Sequence, residues 1–208
     1  MFARSISQSV TDPVNAFARK LPTAVVWAGA FVPFVWLVWA AVTNRLGPDP
    51  VKAIELSLGL WGLQFLVASL CISPLRRIGI NLIRFRRALG VMAFFYIAMH
   101  FAAWVVLDMG LRWDEILRDL YKRPYIILGM VGLLAMIPLA VTSTNAAMRR
   151  LGPVKWRRLH RLAYVAAVAG AAHYLILVKG WPMEPLLYAA AVAALLVLRL
   201  PLTRASQP

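Results

Sequence analysis

Cysteine is almost missing: the 208 residues include one, Cys71. A lone thiol excludes a secreted disulfide scaffold. Zinc ribbons and Cys-ligated iron–sulfur clusters fall with it. Acidic residues are scarce as well, 8 Asp and Glu against 23 Lys and Arg, and charged residues make up only 15% of the chain, where a soluble domain carries about 25%. There is no Gly-rich dinucleotide loop, no nucleophile–base pair and no metal-binding carboxylate cluster, so direct NAD(P)H binding and hydrolytic chemistry have no footing. What the chain does have is apolar bulk: 62% hydrophobic residues and a mean hydropathy of +0.71. That composition is too apolar for a soluble domain and the opposite of a disordered one. An integral membrane protein is left, and at this length it is a single bundle.

A spanning helix takes roughly 20 mostly apolar residues. Six stretches qualify or nearly do: 21–42, 56–72, 88–107, 124 to about 142, 162–178 and 185–202. The last is interrupted only by Arg199, which can snorkel to the interface. Helix is the form such runs take in lipid, because each backbone group must find a partner within its own segment. The first run is too long for a signal peptide and no small-residue cleavage site follows it. Residues 1–20 read as a surface or mobile arm, polar with an amphipathic hint at Val14, Phe17 and Ala18. Residues 21–202 form the membrane domain and 203–208 a short tail. No internal repeat or linker is apparent. The connection 108–123 carries Trp113, Ile116, Leu117 and Leu120, a spacing that fits a short amphipathic helix on the membrane surface.

The net charge of +15 would point to nucleic acid in a soluble protein. Its distribution says otherwise. The arm, the connections after the second and fourth spans and the C-terminus hold sixteen cations against one anion, Asp12; the other side holds seven of each. Lys and Arg concentrate in cytoplasmic loops. The expected fold is therefore an all-α, six-transmembrane-helix integral membrane bundle with both termini cytoplasmic and no nucleic-acid partner.

Ionisable groups within a membrane are costly and mark function. No Asp, Glu or Lys lies deep in any span, which weakens a proton-pump or cation-transporter reading. Two histidines do lie deep. His100 follows Arg87 by thirteen residues and His173 follows His160 by thirteen; at 1.5 Å per residue, both sit about 20 Å from the cytoplasmic edge. Two neutral imidazoles at matched depth on parallel helices suit an iron porphyrin held between them. The small residues around them, Ala98, Ala102 and Ala103 near His100 and Ala166, Ala167, Ala169, Gly170, Ala171 and Ala172 near His173, leave room for a flat macrocycle or serve close helix packing.

His160 sits in the basic stretch Trp156-Arg157-Arg158-Leu159-His160-Arg161 at the cytoplasmic interface. It is an interfacial histidine of a basic loop, a ligand of a second haem, or part of a site where electrons enter. Thirteen residues put it about 140° from His173 around an ideal helix, so the two share a face only across a bend or π-bulge. The cytoplasmic arginines, Arg86 and Arg87 among them, set topology and touch lipid headgroups, or capture the phosphate of a flavin mononucleotide through bidentate contacts.

The stretch Thr142-Ser143-Thr144-Asn145, then Arg149-Arg150-Leu151-Gly152, then Trp156 through Tyr164 and His173-Tyr174 resembles the signature of the MsrQ family, formerly YedZ. Arg86-Arg87-Ala88-Leu89-Gly90 leading to His100, and Gly47-Pro48-Asp49-Pro50, resemble other recurrent segments of that family, so the likeness covers nearly the whole chain. The wider similarity is to ferric-reductase-like transmembrane domains. The resemblance implies a six-helix bundle with haem b, ligated by His100 and His173 with His160 implicated, and FMN linked to Arg86 and Arg87. It implies an inner-membrane cytochrome that passes electrons from the quinone pool or a cytosolic flavin reductase to a periplasmic, molybdopterin-containing methionine sulfoxide reductase catalytic subunit. Such a heterodimer repairs oxidised periplasmic proteins, and the membrane subunit does no substrate chemistry itself. The fused FAD/NAD(P)H domain of true ferric reductases is lacking, and so is the second histidine that two-haem relatives carry on the third span. The rivals are a stand-alone ferric- or quinone-reducing cytochrome b and, in another class, a haem-free assembly factor or transporter.

Overall fold

In the computed structural model, which describes residues 2–178, 180 and 182–199, regular structure is helical throughout. The tail expected at 203–208 and the end of the sixth span lie outside the described residues. The order is α1 (Phe2–Lys20), α2 (Thr23–Val42), α3 (Pro50–Arg77), α4 (Arg86–Ala103), α5 (Trp113–Lys122), α6 (Pro124–Val141), α7 (Asn145–Leu159), α8 (Leu162–Leu177) and α9 (Met183–Val197). Starts are set by local chemistry. Asp49 caps α3 by accepting from the Lys52 amide, with Pro50 in the first turn; Pro124 opens α6; Thr144 caps α7 through the Ala147 amide.

Four segments are long and apolar enough to cross a membrane: Thr23–Val42, Pro50–Arg77, Ile83–Asp108 and Pro124–Val141. Leu162–Leu177 and Met183–Val197 are shorter apolar helices. Large apolar side chains such as Val32, Trp36, Leu134 and Val168 point outward, as the surface of a multi-pass membrane protein requires.

Two helix pairs form the frame. α3 packs along α4, α6 packs along α8, and the pairs meet through α4–α6 and α3–α8 contacts. A glycine permits the close approach of α3 to α4: a Cβ at Gly62 would come within 2.5 Å of Ile97. Between the pairs lies a core of Leu66, Leu70, Ala93, Met136, Ala167 and Val192. α2 is held to α4 by the fully buried Tyr96, whose hydroxyl donates to the Ala30 carbonyl at 2.9 Å.

α1 is fastened to the basic end of the bundle. Asn15 donates to the Gly79 carbonyl and accepts from the Asn81 amide, while Arg84 donates to the carbonyls of Ala18 and Arg19. Ala18 is buried against this junction and Phe17 is exposed. At the opposite end, α5 is the short amphipathic helix expected there. It buries Ile116 and leaves Trp113, Leu117 and Tyr121 exposed along one line.

Candidate functional site

The deep histidines meet across the two helix pairs. His100 on α4 and His173 on α8 have ring centres 6.2 Å apart and ring planes 76° apart. The Nδ1–H of His100 donates to the Glu55 carbonyl on α3 at 2.8 Å. The Nδ1–H of His173 donates to the Tyr125 carbonyl on α6 at 2.6 Å. A carbonyl only accepts, so Nδ1 carries the proton in both rings and each Nε2 keeps its lone pair.

This geometry can be tested against a metal. A metal–imidazole bond is about 2 Å long, which sets two rings on opposite sides of one ion with centres roughly 6 Å apart. The observed 6.2 Å fits. Among the described residues, no cluster of three or more His, Cys, Asp or Glu side chains gathers to hold a metal. Two imidazoles complete a coordination sphere only if the remaining ligands arrive with the metal, as the four nitrogens of a porphyrin do.

The helices that accept the imidazole protons are built alike. Leu58-Gly59-Leu60-Trp61-Gly62 on α3 and Leu128-Gly129-Met130-Val131-Gly132 on α6 carry the same Leu-Gly-x-x-Gly pattern. Each accepting carbonyl lies four residues before the first glycine, one turn away. That glycine faces the histidine: a Cβ would stand 3.3 Å from His100 Nδ1 at Gly59 and 3.0 Å from His173 Nδ1 at Gly129. The small residues that stand out in the sequence flank each histidine on its own helix, whereas these glycines sit on the facing ones. The repeated pattern was the available signal, at the depth of the histidines on the facing spans.

Directly after His100 the chain takes a π-helical turn, Trp104–Asp108, with the Met109 amide donating to the Trp104 carbonyl. The sequence had raised such a distortion for the fifth span, to bring His160 onto the face of His173. In the structure His160 belongs to neither helix body; it ends α7 in the turn before α8. Thr142 Oγ donates its one proton to the Pro138 carbonyl at 2.6 Å, so His160 Nε2–H donates to Thr142 Oγ at 3.1 Å. Burial and the neighbouring Arg86 charge push the His160 pKa down to about 4, so the ring is neutral at physiological pH.

Arg86 and Arg87 diverge, as adjacent helical residues must. Arg86 lies within electrostatic reach of His160. Arg87 donates to the Ser143 carbonyl and to Asn145 Oδ1. With Arg84, Trp27, Ser143 and Thr144 it lines a groove of about 440 Å³ between α2, α4 and the end of α6.

Residues 53–171 match the family described as ferric reductase like transmembrane component. That interval holds Glu55, Gly59, His100 and Gly129 and ends two residues before His173. Three relatives named protein-methionine-sulfoxide reductase heme-binding subunit MsrQ, from Brucella ovis, Brucella canis and Brucella suis, are similar to this chain. Each is 47% identical over 187 residues, covering 88% of this chain and 84% of its own.

Proposed function

The chain belongs to the MsrQ family of ferric-reductase-like transmembrane proteins, and from that premise we propose that it is a bis-histidine cytochrome b of the bacterial inner membrane. It relays electrons from the quinone pool or a cytosolic flavin donor to a periplasmic, molybdopterin-containing methionine sulfoxide reductase subunit. The observation that carries this reading is the His100–His173 pair, with ring centres 6.2 Å apart and both Nδ1 protons committed to backbone carbonyls. Haem b held there supplies a one-electron carrier.

His100 and His173 present the two Nε2 lone pairs. The Glu55 and Tyr125 carbonyls fix the tautomers and make the rings stronger donors. The bundle places the pair near the ends of α3 and α6 that face away from the basic loops. With the topology read from charge, six spans and both termini in the cytoplasm, that is the periplasmic side, within reach of a partner. The four long apolar helices and the two shorter ones support that span count. Arg87, with Arg84, contributes the phosphate contact of FMN or of a flavin reductase from the cytoplasmic groove. Arg86 lies instead beside the neutral His160.

The test is a reduced-minus-oxidised spectrum with haem quantitation on purified protein. Low-spin, six-coordinate haem b is expected, lost or turned high-spin in His100→Ala and in His173→Ala, with His160→Ala doing less. Full low-spin haem in the double variant His100→Ala/His173→Ala overturns the ligand assignment. Reporter fusions after Asn44 should read periplasm and those near Gly152 cytoplasm.

A further inference from the structure

We propose that Gly59 and Gly129 are a matched pair of positioning residues, one for each imidazole of the His100–His173 site, carried by a duplicated Leu-Gly-x-x-Gly element. The inference rests on the ligand reading above and adds what holds the ligands.

In a helix, the carbonyl of residue i already accepts from the amide of residue i+4. For Glu55 and Tyr125 that amide belongs to Gly59 and Gly129. An imidazole that donates to the same carbonyl must approach from the side and lie over residue i+4. A side chain there would crowd the ring: Cβ atoms would stand 3.3 Å and 3.0 Å from the two Nδ1 atoms, so each imidazole would have to give by a few tenths of an ångström. Carbonyl and glycine therefore work together, one fixing the proton and the other clearing the approach. The same device appears on both sides of the site, and it keeps the rings in their 76° relation. The second glycine on α3, Gly62, does something else, bringing α3 onto α4, whereas a Cβ at Gly132 would meet α8 only in ordinary contact.

An added methyl at Gly59 or Gly129 pushes the ring outward and lengthens the Nδ1–H bond to the carbonyl. The imidazole then becomes a weaker donor, which favours the ferrous over the ferric state. Losing such a supporting contact commonly weakens metal retention about ten-fold or more.

The experiment uses the full chain in lipid nanodiscs with its native haem. Gly59→Ala and Gly129→Ala are compared with Gly29→Ala, where nothing lies within 4 Å of the new Cβ, and with Gly62→Ala, which touches only the Ile97 contact. Read-outs are the ferric low-spin resonance signal, the midpoint potential and the rate of haem transfer to apomyoglobin. The first two variants should each shift the signal, raise the potential and release haem about ten-fold faster. Gly29→Ala should match wild type, and Gly62→Ala should lower thermal stability at an unshifted potential. Loss of haem with helical content intact counts for the proposal. Wild-type signal and potential in both Gly59→Ala and Gly129→Ala overturn it, as does loss of helical content in both, since the glycines then serve helix packing alone. Low-spin haem persisting in the double histidine variant overturns the underlying ligand reading instead.

Discussion

Trp156 lies flat against His160, ring centres 3.8 Å apart and planes 25° from parallel, and the indole N–H and the imidazole both bond to Thr142 at the end of α6. The stacked pair therefore closes the α7–α8 turn onto the bundle with His160 in its neutral form. Its folded-state pKa near 4 lies below the ordinary 6.5. Between those values only the unfolded chain takes the proton. Stability should fall as pH drops from about 6.5 to about 4, with no contribution from this group above that window. Melting curves of wild type and His160→Asn at about pH 7.5 and pH 5 check the sign: wild type should lose more.

Tyr96→Phe removes the hydroxyl that ties α4 to α2 at the Ala30 carbonyl. Hydrogen bonds between helices in a membrane are worth on average about 0.6 kcal/mol and at most about 1.7 kcal/mol. A drop of that size in unfolding free energy is expected in detergent titrations, with the haem spectrum unchanged because the Tyr96 hydroxyl bonds to Ala30, whereas the histidines bond to Glu55 and Tyr125.

Arg84→Ala should loosen α1 without disturbing the spans. Arg84 supplies two of the contacts that fasten the α1 terminus, and Asn15 supplies two more. Limited proteolysis should cut between α1 and α2 faster in Arg84→Ala, and faster again in Arg84→Ala/Asn15→Ala.

On the opposite face, the exposed line Trp113, Leu117 and Tyr121 on α5 is the surface on which the proposed periplasmic partner would dock. Replacing all three by Ser should slow electron delivery to the partner several-fold while leaving the haem spectrum as it was. Unchanged delivery would place docking elsewhere.

The apolar helices were legible because lipid imposes one simple demand, long apolar runs, and His100 and His173 stood out as ionisable groups inside them. Their supports were not. The partners of both imidazoles are main-chain carbonyls, and Glu55 and Tyr125 share no side-chain chemistry that would flag them. The Leu-Gly-x-x-Gly repeat is only three letters deep, too short to stand out within apolar spans. The docking of α1 through Asn15 was hidden for a similar reason, since an amide bracketing a turn's backbone leaves no pattern. The divergence of Arg86 and Arg87 was readable from helical pitch alone; their adjacency in sequence masked it.

The two histidines belong to different helix pairs, and this bears on how the molecule keeps its shape. A chain with one cysteine has no covalent staple of its own. A metal seated between His100 and His173 would act as one, joining the α3–α4 hairpin to the α6–α8 pair across a long stretch of chain. Ligand binding then becomes folding free energy, added to the apolar core that already joins the two halves of the bundle.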